Sequence, residues 1–541
     1  MKKQRMALSA VAVLGTTALV LTGCASGGDS GDDTASGDTS AIITTNGNEP
    51  QNPLIPSNTT EVGGGKIIDS VFSGLTTYDA AGESINDVAE DISSDDNQLW
   101  NVTIREGLTF TDGTDVTAES FTKAWNWAAQ LSNAQGASYF FDNLEGFSYD
   151  ADSELALEVV SPTEFTVQLS APEADWPLRL GYSAYVPLPE SFYDDPEAFG
   201  ENPVGNGPYM LDGEGAWTHN QDIALVANED YDGPRTPQNG GLTITFYTTQ
   251  EAAYADAQSG VLDILDAVPD SAFETYEDDF PDRNVNQAAA IFQSFTIPQY
   301  LEHFDGATEE GKLRRQAISL AINRDDITDV IFQGTRTPAK DFTSPVIDGY
   351  SEDLEGSDVL DYDADRAKDL WEQAEEISPY GDTTFTIGYN ADGGHQAWVD
   401  AATNSIADTL EISAEGKSYP DFKTLLDEED RDAMTGAFRS GWQADYPSAY
   451  NFLAPLYQSG AGSNYGRYSS DEFDSLLTEG ATAETVDDAT ETFQQAQELL
   501  FEDLPAIPLW YSNVTGVYGD TVDNVEFGWN SVPLYYEVTK N

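Results

Sequence analysis

The chain has few of the residues on which most catalytic and metal sites depend. Its 541 residues include one cysteine, three histidines, and 23 lysines and arginines against 96 aspartates and glutamates. A single cysteine excludes an internal disulfide framework. The histidines, His219, His303 and His395, lie far apart and show no metal-binding spacing. The scarcity of positive charge argues against nucleic acid or anionic lipid as a partner, because both are polyanions.

The motifs of common enzyme classes are also missing. The sequence contains no G-x-S-x-G elbow, no G-x-G-x-x-G turn and no P-loop. Ser120 and Lys123 match the S-x-x-K motif of serine acylases, but the companion motifs S-D-N and K-T-G are absent. Lys123 instead fits the solvent face of a helix. We therefore expect a binding protein and not an enzyme.

One acidic segment has part of a calcium-binding pattern. Residues 361–372 carry acids at loop positions one, three, five and twelve of a calcium hand. The sixth position requires Gly for a sharp turn, and it is Arg366 here. A capped helix is the better interpretation, so we predict no bound metal and no cofactor.

The N-terminal segment has the pattern of a bacterial lipoprotein signal. Basic residues precede an apolar stretch at residues 7–21, which is too short to span a bilayer, and the sequence LTGC ends at Cys24. We predict a signal peptide at residues 1–23, a lipid-modified Cys24 and a flexible acidic tether at residues 24–40. Loss of the three basic residues of the signal leaves 20 basic and 96 acidic residues, a net charge of 20 − 96 = −76. The protein is then expected on the outer face of the cytoplasmic membrane, held by lipid only.

The rest of the chain alternates between strand and helix patterns without a repeat period. Apolar and alternating runs predict strands at residues 101–105, 164–169, 241–247, 385–389 and 507–511. Capped amphipathic stretches predict helices at residues 117–127, 250–259, 363–377 and 493–501, and two helices that meet at Asn323 within residues 313–332. This pattern indicates a mixed α/β protein of more than one domain, and its body has no further apolar run of membrane-spanning length.

Four segments resemble the sequence blocks of one known family, in the same order along the chain. They are VFSGLTTY at 71–78, TIREGLTFTDGTDVTAESF at 103–121, NPVGNGPY at 202–209 and LRRQAISLAINR at 313–324. Asn206 departs from the third block, in which Thr is usual. By these blocks the chain resembles the peptide-binding lipoproteins of ABC importers, the oligopeptide/dipeptide solute-binding family, over nearly all of its length after the N-terminal segment.

The resemblance implies a two-lobed α/β fold of the type II periplasmic-binding-protein class, with an extra inserted domain. Lobe I is expected at residues 41–71, 185–295 and 512–541, the inserted domain at 72–184, and lobe II at 296–511. The resemblance further implies a monomer that closes on a peptide between its lobes. The loaded protein delivers that peptide to the permease subunits of an ABC transporter.

The segment RSGWQADYP at residues 439–447 carries the strongest site prediction. An extended peptide offers an ammonium group, a carboxylate and a backbone, whatever its side chains. The resemblance implies that Asp445 binds the ammonium group. It also implies that the backbone of Gly441, Trp442 and Gln443 pairs with the peptide as a neighbouring strand, with the Trp442 ring as the wall of a side-chain pocket.

Four further residues are assigned to the site by the same resemblance. Arg439 and His395 match positions that bind the peptide carboxylate, which favours oligopeptides over strict dipeptides. Gln293 and Phe295, placed in lobe I, are expected to contact the peptide from the opposite side.

Other interpretations remain open from the sequence. The same fold binds other solutes in related proteins, including metal chelates such as nickel complexes, haem and glycosides, although none of these needs an ammonium anchor such as Asp445. A surface lipoprotein for peptide sensing or adhesion is a second alternative. Trp442 also fits an ordinary core position, Asp445 a cap before Pro447, and Arg439 a surface ion pair.

Overall fold

The computed structural model describes residues 38–420 and 422–541. The predicted signal peptide, Cys24 and residues 24–37 of the predicted tether lie outside the described residues. Within the described part of the chain, no helix has both the length and the apolar character that a bilayer crossing requires.

Most strands are short, and two long strands of 13 residues each stand out. The strands are β1 (Ile42–Gly47), β2 (Thr76–Tyr78), β3 (Ser84–Asn86), β4 (Ala89–Ser94), β5 (Leu99–Ile104), β6 (Leu157–Ser161), β7 (Glu164–Gln168), β8 (Tyr209–Leu211), β9 (Trp217–Thr218), β10 (Asp222–Ala227), β11 (Gly241–Phe246), β12 (Ile264–Leu265), β13 (Asn284–Thr296), β14 (Arg336–Pro338), β15 (Thr384–Asn390), β16 (Ser413–Tyr419), β17 (Ala437–Gln443), β18 (Ala506–Tyr518), β19 (Val522–Asp523) and β20 (Thr539–Lys540).

The helices alternate with these strands along the chain. They are α1 (Val62–Val71), α2 (Ala118–Ala129), α3 (Pro196–Glu201), α4 (Gln250–Ser259), α5 (Tyr276–Asp279), α6 (Glu309–Leu320), α7 (Arg324–Val330), α8 (Ala364–Ile377), α9 (Gln396–Leu410), α10 (Phe422–Asp430), α11 (Ala449–Tyr457), α12 (Asp471–Ala481) and α13 (Val486–Asp503).

Several predicted helix ends are confirmed by their caps. Asn323 separates α6 from α7, and its side chain accepts a hydrogen bond from the backbone N–H of Asp326. The acidic segment at residues 361–372 is the start of α8, where Asp363 accepts from the backbone N–H of Arg366. Lys123 on α2 pairs with two glutamates on the protein surface, as a solvent-facing residue does.

A large mixed sheet forms the framework of the molecule. Its strand order is β16-β15-β17-β13-β18-β12-β1-β11-β10-β8, and β14 and β9 pair at its side. A separate four-stranded antiparallel sheet, β4-β5-β7-β6, lies within the predicted inserted domain. The mixed α/β class predicted from the sequence is confirmed.

Two large hydrophobic clusters fill the body. The first cluster takes buried residues from 43–264 and 514–538, together with Tyr446. The second cluster takes buried residues from 290–511, together with Trp529. Predicted lobe I and the predicted inserted domain thus share one core, and the proposed domain boundaries stay predictions.

The long strands β13 and β18 run through both clusters. Their antiparallel pairing shifts register between Ala288 and Phe292. On one side of this shift the strands belong to the first cluster, and on the other to the second. The shorter strand predicted at residues 507–511 is one part of β18, and β13 was not predicted.

Candidate ligand-binding site

A cleft lies between the end of β17 and residues of the first cluster. One cavity of about 220 Å³ and another of about 320 Å³ share Lys66, Gln443 and Asn530 in their walls. We call these two joined cavities the cleft. Residues of the first of them include Lys66, Asp69, Tyr78, Tyr182, Gln443, Asp445 and Trp529.

Asp445 presents a poorly compensated carboxylate to this cleft. Burial raises the pKa of the Asp445 carboxyl to about 6, while a hydrogen bond from Asn451 acts in the opposite direction. Over residues 38–420 and 422–541, the structure shows no cation paired with this carboxylate. Burial raises the pKa of the Tyr182 hydroxyl, and the nearby negative charge of Asp445 adds to that effect. The site therefore has an unmet demand for a positively charged group.

Asn451 holds this carboxylate and the neighbouring tryptophan in place. Its Oδ1 accepts from the backbone N–H of Asp445 at 2.9 Å and from the indole Nε1–H of Trp442 at 3.1 Å. Its Nδ2 donates to Asp445 Oδ2 at 3.1 Å. Asn451 is 4% exposed, on the first turn of α11. Sequence reasoning missed it, although a buried-face Asn six residues after the predicted anchor was a usable signal.

A second set of contacts fixes the loop between Asp445 and α11. Ser448 caps α11 and donates its hydroxyl to Asp175 Oδ2 at 2.7 Å. Arg179 and Glu173 form a buried ion pair next to it. The Arg179 guanidinium lies over the ring of Tyr446, 5.1 Å from its centroid. Residues of the predicted inserted domain thus hold the Asp445 loop from across the cleft.

The backbone before Asp445 has one unpaired strand edge. Residues 438–443 of β17 pair with β13 on one edge. On the other edge β15 pairs only with Ala437 and Phe438, so within the described residues 440–443 have no strand partner there. Residue 441 is constrained to be glycine, because a Cβ there would lie only 2.9 Å from the carbonyl oxygen of Phe292. Such an edge is able to accept an extended chain as an added strand.

Arg439, Gly441 and Trp442 line a different cavity of about 210 Å³, which we call the Arg439 cavity. The Arg439 guanidinium lies over the ring of Phe422, 4.5 Å from its centroid, and its Nε donates to Asn390 Oδ1 at 2.8 Å. The structure thus places Arg439 and Asp445 in separate cavities. Trp442, which lies between them in sequence, packs on the second cluster.

His395 lies at the start of α9, beyond the end of β15. Its Nδ1 accepts from the indole N–H of Trp398 at 3.1 Å. It is not among the residues that line the cleft or the Arg439 cavity. Asn390 links this region to Arg439.

The structure corrects the expected positions of Gln293 and Phe295. Both lie on β13, where they pair with Gly441 and Arg439 in the same sheet, so they are beside β17 and not opposite it. Phe295 is 0% exposed and belongs to the second cluster, which leaves no surface for a ligand. The Gln293 amide donates to the carbonyl of Ser440. β13 spans both clusters, and its second half packs in the second cluster beside β17.

Sequence reasoning also missed Lys66 on the opposite wall. It is 8% exposed on α1 and pairs with Asp266, which also accepts from Asn46 Nδ2 at 2.7 Å. Burial lowers the pKa of the Lys66 ammonium to about 8. A lysine among the apolar residues of α1 was the available signal.

Two known peptide-binding proteins are similar to this chain over most of its length. The oligopeptide-binding protein OppA of Bacillus subtilis (strain 168) is 24% identical over 528 residues, which cover 94% of each chain. The periplasmic murein peptide-binding protein MppA of Escherichia coli (strain K12) is 25% identical over 476 residues, which cover 83% of each chain.

A solved structure shares the whole fold. The Haemophilus influenzae OppA complex with RPPGFSPFR has a TM-score of 0.74 at 21% identity, and the match covers 93% of this chain and 99% of that one. The family model described as "Bacterial extracellular solute-binding proteins, family 5 Middle" matches residues 83–464, well over half of the 541 residues. The chain therefore belongs to family 5 of the bacterial extracellular solute-binding proteins.

Proposed function

We propose that this protein captures peptides by their free amino terminus and delivers them to an ABC importer. The observation that carries the proposal is Asp445, a part-buried carboxylate that faces the cleft and has no paired cation among the described residues. A peptide ammonium supplies the missing charge through a charge-assisted hydrogen bond. Asn451 keeps the carboxylate in position for it.

The unpaired edge of β17 supports the same function. A peptide whose ammonium lies at Asp445 is able to extend past Gln443 along residues 440–443 and pair with their backbone. Backbone pairing is independent of side chains, so it suits a receptor for peptides of varied sequence. Arg439 and His395 keep their predicted role at the carboxylate end of longer peptides, and Gln293 a predicted role beside them.

The printed names of the relatives point in the same direction. The Bacillus subtilis relative is an oligopeptide-binding protein, and the Haemophilus influenzae structure holds a peptide. Family 5 proteins are extracellular and bind solutes, which agrees with a binding protein and not an enzyme. In this proposal the chain acts as a monomer, anchored outside the cytoplasmic membrane by lipid on Cys24, and hands its peptide to permease subunits.

Ligand closure follows from population shift. A peptide that contacts Asp445 on one wall and residues such as Tyr182 and Trp529 on the other binds the closed form better than the open form. Only this difference in affinity moves the equilibrium toward closure.

Calorimetry tests the proposal directly. The protein, unfolded and refolded to remove any carried ligand, is titrated with a pool of tri- to pentapeptides and with the same pool N-acetylated. We expect binding by the free peptides and a loss of at least about a hundredfold on acetylation, since the buried carboxylate then has no cation. Asp445→Asn should show the same loss with free peptides.

A matched variant separates the anchor from the general field of the cleft. Asp69→Asn removes the same charge from a cleft residue that already pairs with Arg235. We expect its affinity to change much less. Equal binding of free and acetylated peptides would contradict the role of Asp445, and binding of neither pool would contradict a peptide receptor.

A further inference from the structure

The Arg439 cavity contains two buried polar groups that have no hydrogen-bond partner among the residues that the structure describes. They are Glu429 Oε1 and the Tyr457 hydroxyl, and both residues line this cavity. Each residue is only 4% exposed. Buried polar side chains are normally paired, so two unpaired groups around one cavity need an explanation.

Glu429 is the more unusual of the two. Burial raises the pKa of the Glu429 carboxyl to about 7, the Arg439 guanidinium lowers it, and Asp430 raises it again. Across the described ranges its carboxylate forms neither an ion pair nor a hydrogen bond through Oε1. It lies on α10 four residues after Leu425, which is fully buried, so its position on the inner face of the helix is set by the helical repeat.

The remaining walls of the cavity suit an apolar stem. Aromatic rings of Phe422, Trp442 and Tyr465 line it together with Leu426. Arg439 already has partners, because it stacks on Phe422 and donates to Asn390. The unmet demand in this cavity is therefore for hydrogen-bond donors at Glu429 and Tyr457, which share the cavity wall with these apolar side chains. Lysine and arginine side chains combine such a stem with a donating cationic end.

We propose that the Arg439 cavity is a specificity pocket for a lysine- or arginine-like side chain of the bound peptide, whose N–H groups donate to Glu429 and Tyr457. The inference rests on the proposed function, because the cavity is walled by Ser440, Gly441 and Trp442 of the unpaired strand edge. A peptide paired with that edge is placed to insert a side chain there.

The test compares a charged side chain with a neutral one of similar length. Calorimetry first measures the affinity of tetra-alanine. It then measures the peptides in which one of the four alanines is replaced by lysine, and the matching peptides in which the same alanine is replaced by norleucine. At one position we expect lysine to bind at least about tenfold more tightly than norleucine. Glu429→Gln should reduce that ratio to about twofold or less, and Tyr457→Phe should reduce it in part.

Asp430→Asn is the matched control. It removes the same charge from the neighbouring residue, which is exposed at the end of α10, and it should keep the preference for lysine. The melting temperature and the affinity for tetra-alanine show that each variant is folded. If Glu429→Gln does not fold, the ratio measured with Tyr457→Phe decides.

The outcomes separate this inference from the proposed function. If tetra-alanine binds and N-acetylation abolishes that binding, yet no position prefers lysine, the pocket assignment is wrong and the receptor function stands. A preference that survives Glu429→Gln, or a preference for glutamate, also overturns it. If no free peptide binds, the proposed function and this inference fail together.

Discussion

Asp445 shows how a binding residue is kept at some loss of stability. Its carboxylate is part-buried, and its hydrogen bonds come from Asn451 and not from a cation. The charged form of such a group is less favourable in the folded protein than in the unfolded chain. A ligand ammonium reverses that imbalance, so affinity and stability pull in opposite directions at this residue.

The stability of the ligand-free protein should therefore depend on pH through Asp445. Its pKa is raised from 3.8 to about 6 on folding, so the folded state holds its proton longer than the unfolded chain does. Ionisation of Asp445 therefore lowers the free energy of unfolding as the pH rises from about 4 to about 6. Above that range the loss amounts to at most about 3 kcal/mol. Asp445→Asn removes the effect.

We expect denaturant unfolding at pH 7.5 to show Asp445→Asn as the more stable protein without ligand. The difference should shrink as the pH falls and become small at about pH 3, where the carboxyl is largely neutral in both states. Equal stability of the two proteins at pH 7.5 would show that the carboxylate is compensated after all. Peptide affinity of the unsubstituted protein should fall below about pH 6, because the ammonium then meets a neutral acid.

At the scale of elements, one buried arginine joins the ends of the two long strands. Arg315 on α6 is 0% exposed, and its guanidinium donates to the carbonyl oxygens of Ile297, Phe304 and Leu504, each at 2.8 Å. A second nitrogen also donates to the Phe304 carbonyl at 2.5 Å. Ile297 follows β13 and Leu504 precedes β18. One guanidinium therefore joins the end of β13 to the start of β18, both of which lie in the second cluster.

Arg315→Met should destabilise the protein strongly. Methionine fills a similar volume but leaves three carbonyl oxygens without donors, at a cost of about 3 kcal/mol or more. Denaturant unfolding measures this loss. Lys312→Met on the same helix removes only the partly exposed pairs with Glu502 and Asp503, and it should change stability by less than about 1 kcal/mol. Similar losses of stability in both variants would contradict the role of Arg315 in joining the two strand ends.

At the scale of the molecule, each of the two large hydrophobic clusters contains one aromatic residue from a chain segment that otherwise packs in the other cluster. Tyr446 follows the second-cluster strand β17 but packs in the first cluster, and Trp529 of the C-terminal segment packs in the second. The buried pair Arg179–Glu173 lies beside Tyr446, and Asp175 bonds Ser448. The contact with the Asp445 loop is thus a hydrogen bond to a carboxylate and a cation–π contact, next to the proposed ammonium anchor.

Arg179→Met should favour the open form of the protein. Without the guanidinium, Glu173 and Asp175 lose their compensating charge in a buried position, and the contact with residues 446–450 weakens. We expect a larger radius of gyration by small-angle scattering and about tenfold weaker peptide binding, because fewer molecules are binding-competent.

Arg105→Met is the control for this variant. Arg105 donates to the carbonyls of Asp87 and Asp232, and its contacts within the described part of the chain do not reach the Asp445 loop. It should leave both the radius and the affinity nearly unchanged. An unchanged radius for Arg179→Met together with unchanged affinity would exclude a closing role for the buried pair.

Local features of the fold were accessible from the sequence. Helix α4 was predicted with both ends correct, and Asn323 was recognised as a cap, because these features depend on residues within one turn. Strand β13 was missed because its segment NVNQAAAIFQSFT passes from one core to the other and never alternates regularly.

The sequence by itself determined the family blocks, several helix ends, the excess of acidic charge and the segment that contains Asp445. Each of these depends on neighbouring residues or on composition. The tertiary structure alone decided that Arg439 and Asp445 line separate cavities, that Phe295 is buried, and that Glu429 faces the Arg439 cavity. These facts depend on which distant segments pack together, and hydrophobic packing is too non-directional for a local pattern to specify its partners.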